Sequence, residues 1–135
     1  MLKNKITLFF AFAFITAISS ISLSQVYAEP IIHDKNYVIE EFSTGLQYPT
    51  TMTFVGDDIL VLEKNTGKVI RISDNGVLYN EIALDVPVIQ RAETGLLGIT
   101  SVSNHIYLYF TESMSGIDQF VFKNTRNVVY QYDWN

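Results

Sequence analysis

The sequence predicts an all-β fold, and three observations carry that prediction. Beyond residue 28, short runs rich in Val, Ile, Thr, Phe and Tyr alternate with turn residues every eight to twelve positions, and almost nothing follows a helical period. The turns hold Gly beside Asn or Asp, so consecutive strands should pair antiparallel as a meander. The order of runs then starts again after Pro87.

The first 28 residues are set apart from that pattern. Lys3 and Lys5 form a short positive region, an apolar run extends from Ile6 to Ile18, and Val26-Tyr27-Ala28 offers a cleavage site before Glu29. The run is 13 residues, short of the ~20 that span a bilayer. Residues 1–28 are therefore read as a signal peptide, with an uncleaved signal-anchor as the alternative. The expected location is secreted, periplasmic or at the cell surface. Residues 29–36 read as an N-terminal tail, and residues 37–135 as the β region.

The β region opens with a run from Tyr37 to Phe42, followed by Thr51 to Val55. A turn at Gly56-Asp57-Asp58 leads into Ile59-Leu60-Val61-Leu62, and a turn at Asn65-Thr66-Gly67 into Lys68 to Ile72. Asp74-Asn75-Gly76 precedes a run from Val77 to Leu84. The second round comprises Leu96 to Val102, Ile106 to Thr111 and Val128 to Trp134. Ile59 to Leu62 is apolar at every position, whereas a strand with one wet face would alternate. Burial on both faces is what the middle strands of a propeller blade experience, because neighbouring blades cover them.

A repeat supports the same architecture. Thr-Gly-Leu occurs at 44–46 and 94–96, an offset of 50, and Ile59–Leu62 has a counterpart in Ile106-Tyr107-Leu108-Tyr109 at a similar offset. Roughly two blades fit in residues 29–135, and two blades cannot close a ring. The expectation is the first part of a longer propeller, interrupted near Trp134; a complete two-sheet domain is the alternative.

Composition excludes some partners. Residues 29–135 carry 7 basic and 14 acidic side chains, a net charge of −7. Such a surface repels nucleic acid and anionic lipid, so neither is expected as a partner. No cysteine is present, so stability must come from a core, a ligand or an assembly.

Residues able to carry chemistry are sparse. His33 sits in the tail beside Asp34, and His105 in the turn Ser103-Asn104-His105, with no second histidine spaced to complete a metal set. Asp57-Asp58 lacks the spacing of a calcium loop and reads as a turn stabilised by local backbone hydrogen bonds. No nucleophile elbow, phosphate loop or dinucleotide fingerprint occurs. No catalytic residue and no metal ligand is assigned. Glu93 is the one candidate binding residue: it precedes Thr94-Gly95-Leu96-Leu97-Gly98-Ile99, where an inner strand would begin and Gly95 would permit close backbone approach. A surface pairing with Arg91 is the alternative.

Several of these stretches together resemble a known family. Thr44-Gly45-Leu46-Gln47-Tyr48-Pro49, Met52-Thr53-Phe54, Leu60 to Val69, Ala92 to Ile99, Tyr107 to Thr111 and Val129 to Tyr132 fall in the order of motifs found in glucose/sorbosone dehydrogenases. The resemblance covers residues 38–134. It implies a six-bladed propeller with pyrroloquinoline quinone (PQQ) and calcium in its channel. The implied reaction oxidises a sugar's C1 hydroxyl to a lactone and passes electrons to an external acceptor. It also implies that Glu93 takes the place of a polar residue touching the quinone, where its charge would oppose the cofactor's carboxylates unless a cation intervenes. The histidine-containing motif that follows in many relatives is replaced here by Val102-Ser103-Asn104-His105. The catalytic histidine and calcium ligands are expected beyond Asn135, so the chain alone is expected to be inactive. The alternative function is a non-catalytic surface propeller that binds glycan or protein through Tyr107, Tyr109, Tyr130 and Tyr132.

Overall fold

The structure is a computed structural model that describes residues 30–118, 120 and 124–135. The signal peptide expected over residues 1–28 lies outside these. The chain divides into two compact units, Met1–Ile39 and Glu40–Asn135. In the described part of the first, Asp34 turns its carboxylate onto the backbone and side-chain amides of Asn36, both at 2.9 Å, and not toward His33.

The second unit is all-β. A four-stranded meander runs β1 (Pro49–Val55), β2 (Asp58–Glu63), β3 (Lys68–Ile72) and β4 (Leu78–Asp85). A three-stranded meander follows as β5 (Leu96–Val102), β6 (His105–Ser113) and β7 (Thr125–Asp133). Every pairing is antiparallel. The turns use the expected chemistry, with Gly76 at a φ of 81° where an L side chain would be strained. One expectation fails: Tyr37 to Phe42 forms no strand, and Tyr37, Val38, Ile39 and Phe42 are exposed. Their β-propensity is real, but a strand exists only when a neighbour accepts its hydrogen bonds.

The continuous apolar run behaves as its pattern requires. Leu60 and Leu62 are fully buried and Val61 is 6 % exposed, although these residues point to alternate faces of β2. Leu60 and Leu62 join one core with Val69 of β3 and with Leu96, Ile106, Leu108 and Phe110 of the second sheet. The connection from β4 to β5 contributes as well. Val86, Val88 and Ile89 are buried, and their segment is tied to both sheets through Val86 N–H to Gly67 O, Ile89 N–H to Thr111 O and Ser113 N–H to Pro87 O. The sequence pattern holds no hint that this linker is core, because it has no period of its own.

The sheets meet along β1 and β5. The Thr50 hydroxyl donates to Leu96 O at 3.1 Å, the Ser101 hydroxyl donates to Phe54 O at 2.7 Å, and Thr53 and Ser101 share a hydroxyl contact at 3.1 Å. Positions rise together on both strands, so β1 and β5 lie side by side in the same direction. Two meanders stacked through parallel first strands are arranged as adjacent blades around an axis. The structural repeat is 47 residues, Pro49 to Leu96 and Asp58 to His105. The Thr-Gly-Leu coincidence at an offset of 50 is therefore out of register by three residues.

Candidate functional site

Two loops converge at the ends where β1 and β5 begin. Tyr48 has a φ of 49° and its carbonyl accepts the N–H of Lys64 at 3.1 Å. The Lys64 carbonyl in turn accepts the N–H of Leu96 at 2.9 Å. Gly95 makes this approach possible: its φ is 122°, and a Cβ there would stand 2.4 Å from the Lys64 carbonyl oxygen. The close approach expected of Gly95 is thus to the neighbouring blade's backbone.

That contact brings a cation to the loop that carries Glu93. The Lys64 ammonium donates to Ala92 O at 2.5 Å, one residue before Glu93, and Glu93 itself is exposed on the loop. Sequence reasoning missed Lys64, although it stands directly after the buried strand β2. It missed Glu63 too, whose carboxylate is buried beneath the loop and accepts the Gln47 N–H at 2.7 Å and the Thr66 hydroxyl at 2.8 Å. Beside these loops lies an open groove of about 490 Å³ lined by Tyr48, Asn65, Thr66, Lys68, Asp85, Gln90, Asp118 and Phe120. Asp118 orders it by accepting the Val88 N–H and the Gln90 side-chain amide, both at 2.9 Å.

The other candidates have structural roles. His105 opens β6 and places Nδ1 2.8 Å from Asp133. Asp58 does not cap its own turn: it lies on β2 and binds Arg71 and the Tyr79 hydroxyl. The Arg71 guanidinium also stacks over the rings of Tyr79 and Trp134, at 4.4 and 5.5 Å, so it bridges the two sheets. The four tyrosines do not share a surface. Tyr130 and Tyr132 turn inward, Tyr130 edge-on to Phe110 at 5.5 Å, while Tyr107 and Tyr109 occupy the opposite face. On β6 and β7, Arg126 and the Tyr130 hydroxyl both bind Glu112, and the hydrogen bond from Arg126 is the main cause holding the Glu112 carboxyl below its ordinary range.

The described residues therefore gather Lys64, Ala92 and Gly95 at one contact between the sheets, with Glu93 exposed on the same loop. PQQ is a polyanion, and a single ammonium beside a carboxylate does not balance it. Among the described residues no cluster of three His, Asp or Glu side chains is placed to hold a metal. The donors do not by themselves fit PQQ or calcium, and no catalytic step is derived through either.

No protein-family model matches the sequence, and no curated protein matches it. Solved structures do. One is an oxidoreductase (glucose dehydrogenase) of Thermus thermophilus, 26 % identical with a TM-score of 0.56 over 70 % of this chain and 27 % of that one. Another is the PQQ-bound aldose sugar dehydrogenase of Streptomyces coelicolor, 27 % identical with a TM-score of 0.53 over 72 % of this chain and 28 % of that one. The chain thus spans little more than a quarter of the length of these proteins. Its class is that of a partial β-propeller, and its resemblance to these sugar dehydrogenases holds at the level of the fold.

Proposed function

We propose that this chain forms two adjacent blades of an exported, PQQ-dependent sugar dehydrogenase of the propeller type. The observation that carries the reading is the stacking of β1 on β5 in one direction with a 47-residue repeat, in a chain 26–27 % identical to two sugar dehydrogenases. In the assembled enzyme PQQ would supply the oxidising chemistry, with its remaining contacts, and any metal, held by residues outside this chain. The role of these residues is to build one wall. In this reading Glu93 faces the cofactor, and the Lys64 ammonium, held on the Ala92 carbonyl one residue before it, offsets part of the repulsion between Glu93 and the quinone's carboxylates. The rest of the site and the external electron acceptor come from elsewhere.

The chain alone, given PQQ, calcium, glucose and a dye acceptor, is expected to show no turnover; measurable dye reduction would sink that part of the reading. Equilibrium dialysis against PQQ tests the wall. Glu93→Gln should bind about fivefold more tightly than wild type and Lys64→Gln about fivefold less, a change of ~1 kcal/mol each. Equal or reversed affinities would remove Glu93 and Lys64 from the cofactor site.

The groove between Tyr48 and Phe120 favours a second reading, a non-catalytic glycan binder, since aromatic rings beside Asp, Asn and Gln suit a sugar. Calorimetric titration with neutral oligosaccharides separates the two. Binding abolished by Tyr48→Ala and indifferent to PQQ would support the binder.

A further inference from the structure

A left-handed backbone recurs in the two sheets at the 47-residue spacing. Gly45 and Ala92 have φ of 88° and 49°, Tyr48 and Gly95 of 49° and 122°, and Gly56 and Ser103 of 60° and 54°. The hydrogen bond at the second of these positions recurs as well. Tyr48 O accepts the Lys64 N–H at 3.1 Å, and Gly95 O accepts the Thr111 N–H at 3.0 Å. The conformation at Tyr48 is therefore imposed by the fold and not by its own side chain. Glycine is the residue this conformation favours, and a bulky side chain there is strained.

Packing does not explain why a tyrosine stands there. Its ring is 69 % exposed, and its hydroxyl has no hydrogen-bond partner among the described residues. Strained residues concentrate where a side chain has a function. The ring lies along the groove of about 490 Å³, beside Asn65, Lys68 and Asp85. Lys68 and Asp85 are paired positions on β3 and β4. Even so, neither the ammonium nor the carboxylate has an ion-pair partner among the described residues. Asp118 in the same groove differs, because its two oxygens already accept from Val88 and Gln90. One cation and one carboxylate, adjacent and not joined to each other, remain available to a ligand.

We propose that Tyr48 is the stacking platform of a saccharide site in this groove, and that Lys68 and Asp85 make the site select uncharged sugars. The inference rests on the glycan reading of the groove and assigns the roles within it. The apolar face of a pyranose lies on the tyrosine ring. One sugar hydroxyl accepts from the Lys68 ammonium and its neighbour donates to the Asp85 carboxylate, so a vicinal diol uses both. A uronate meets like charge at Asp85 and an amino sugar meets it at Lys68, which sets both against the neutral ligand. Glycine at position 48 relaxes the backbone and removes the platform, so stability and binding oppose each other at this residue.

The test is calorimetric titration of the purified chain with cellotetraose, tetragalacturonate and tetraglucosamine, beside thermal melts of each variant. Wild type should bind cellotetraose most tightly. Tyr48→Gly should bind it about tenfold more weakly. The same variant should melt about 4 °C higher, because the left-handed strain is gone. Tyr48→Phe keeps the ring and should bind as wild type does. Asp85→Asn should gain about tenfold for tetragalacturonate, and Lys68→Gln about tenfold for tetraglucosamine. Cellotetraose binding that survives Tyr48→Gly, a Tyr48→Gly chain that melts below wild type, or charge variants that leave the order of the three ligands unchanged would overturn the proposal and leave a saccharide site elsewhere on the chain. A wild type that binds none of the three would remove the glycan reading of the groove and the proposal with it.

Discussion

Glu63 is 5 % exposed, and its carboxylate holds two strands' ends in place by accepting from Gln47 and Thr66. A buried acceptor removed without compensation strands its donors, at about 1–3 kcal/mol for each group. Glu63→Leu should therefore lower stability by about 2–4 kcal/mol, and Glu63→Gln, which keeps one acceptor oxygen, by about 1 kcal/mol. Urea denaturation with the midpoint read against an unchanged slope checks both. Near-equal effects would mean that the carboxylate does not organise the Lys64 loop. Residues of this kind were the least legible in the sequence. Glu93 stood out because of its neighbours in the chain, whereas Lys64 and Glu63 matter because of a contact between blades, and only Gly95 hinted at it.

The strands show where local pattern suffices. The bounds of β3 and β5 coincide with the runs Lys68–Ile72 and Leu96–Val102, since apolar composition and flanking turns act over the same few residues. Tyr37 to Phe42 has equal β character and forms no strand, because pairing is settled by a distant neighbour. Electrostatics at this scale centre on the β6–β7 pair. Glu112 ionises more readily in the folded chain than in the unfolded one, first through its hydrogen bond from Arg126 and then through that from Tyr130. The unfolded state consequently binds more protons in the acid range, so stability falls as pH falls. The contribution is complete above the ordinary value of 4.5 and is lost as pH drops through the lower folded value. Wild type should lose more stability than Glu112→Gln between about pH 5 and pH 3, measured by urea midpoints across that range. Parallel pH profiles would remove Glu112 from the acid response.

At the scale of the molecule, one core serves both sheets. Leu60, Leu62 and Val69 pack with Leu96, Ile106, Leu108 and Phe110, and Arg71 reaches from β3 to Trp134 after β7. The blades should therefore unfold together. Trp134 is the sole tryptophan, so its emission reports the contact while far-ultraviolet circular dichroism reports the strands. Coincident thermal transitions are expected. A fluorescence transition well below the dichroism one would show that the blades separate before they melt. The propeller was readable in the sequence because burial on both faces of β2 and the repeat each leave a local trace. The tyrosines of β6 and those of β7 face opposite sides of the sheet, a difference that composition does not show.

Among the described residues β7 has a neighbour only in β6, so along nine residues one side of its backbone is without a strand. Such an edge is a template for cross-β growth, held in check by charges that resist an incoming strand. Arg126 lies near one end of β7 and Asp133 at the other, and both are engaged with β6, through Glu112 and His105. Neutralising Arg126 would break an ion pair and unguard the edge at once. The material lost from Arg126 variants should then be ordered and thioflavin-positive, not amorphous.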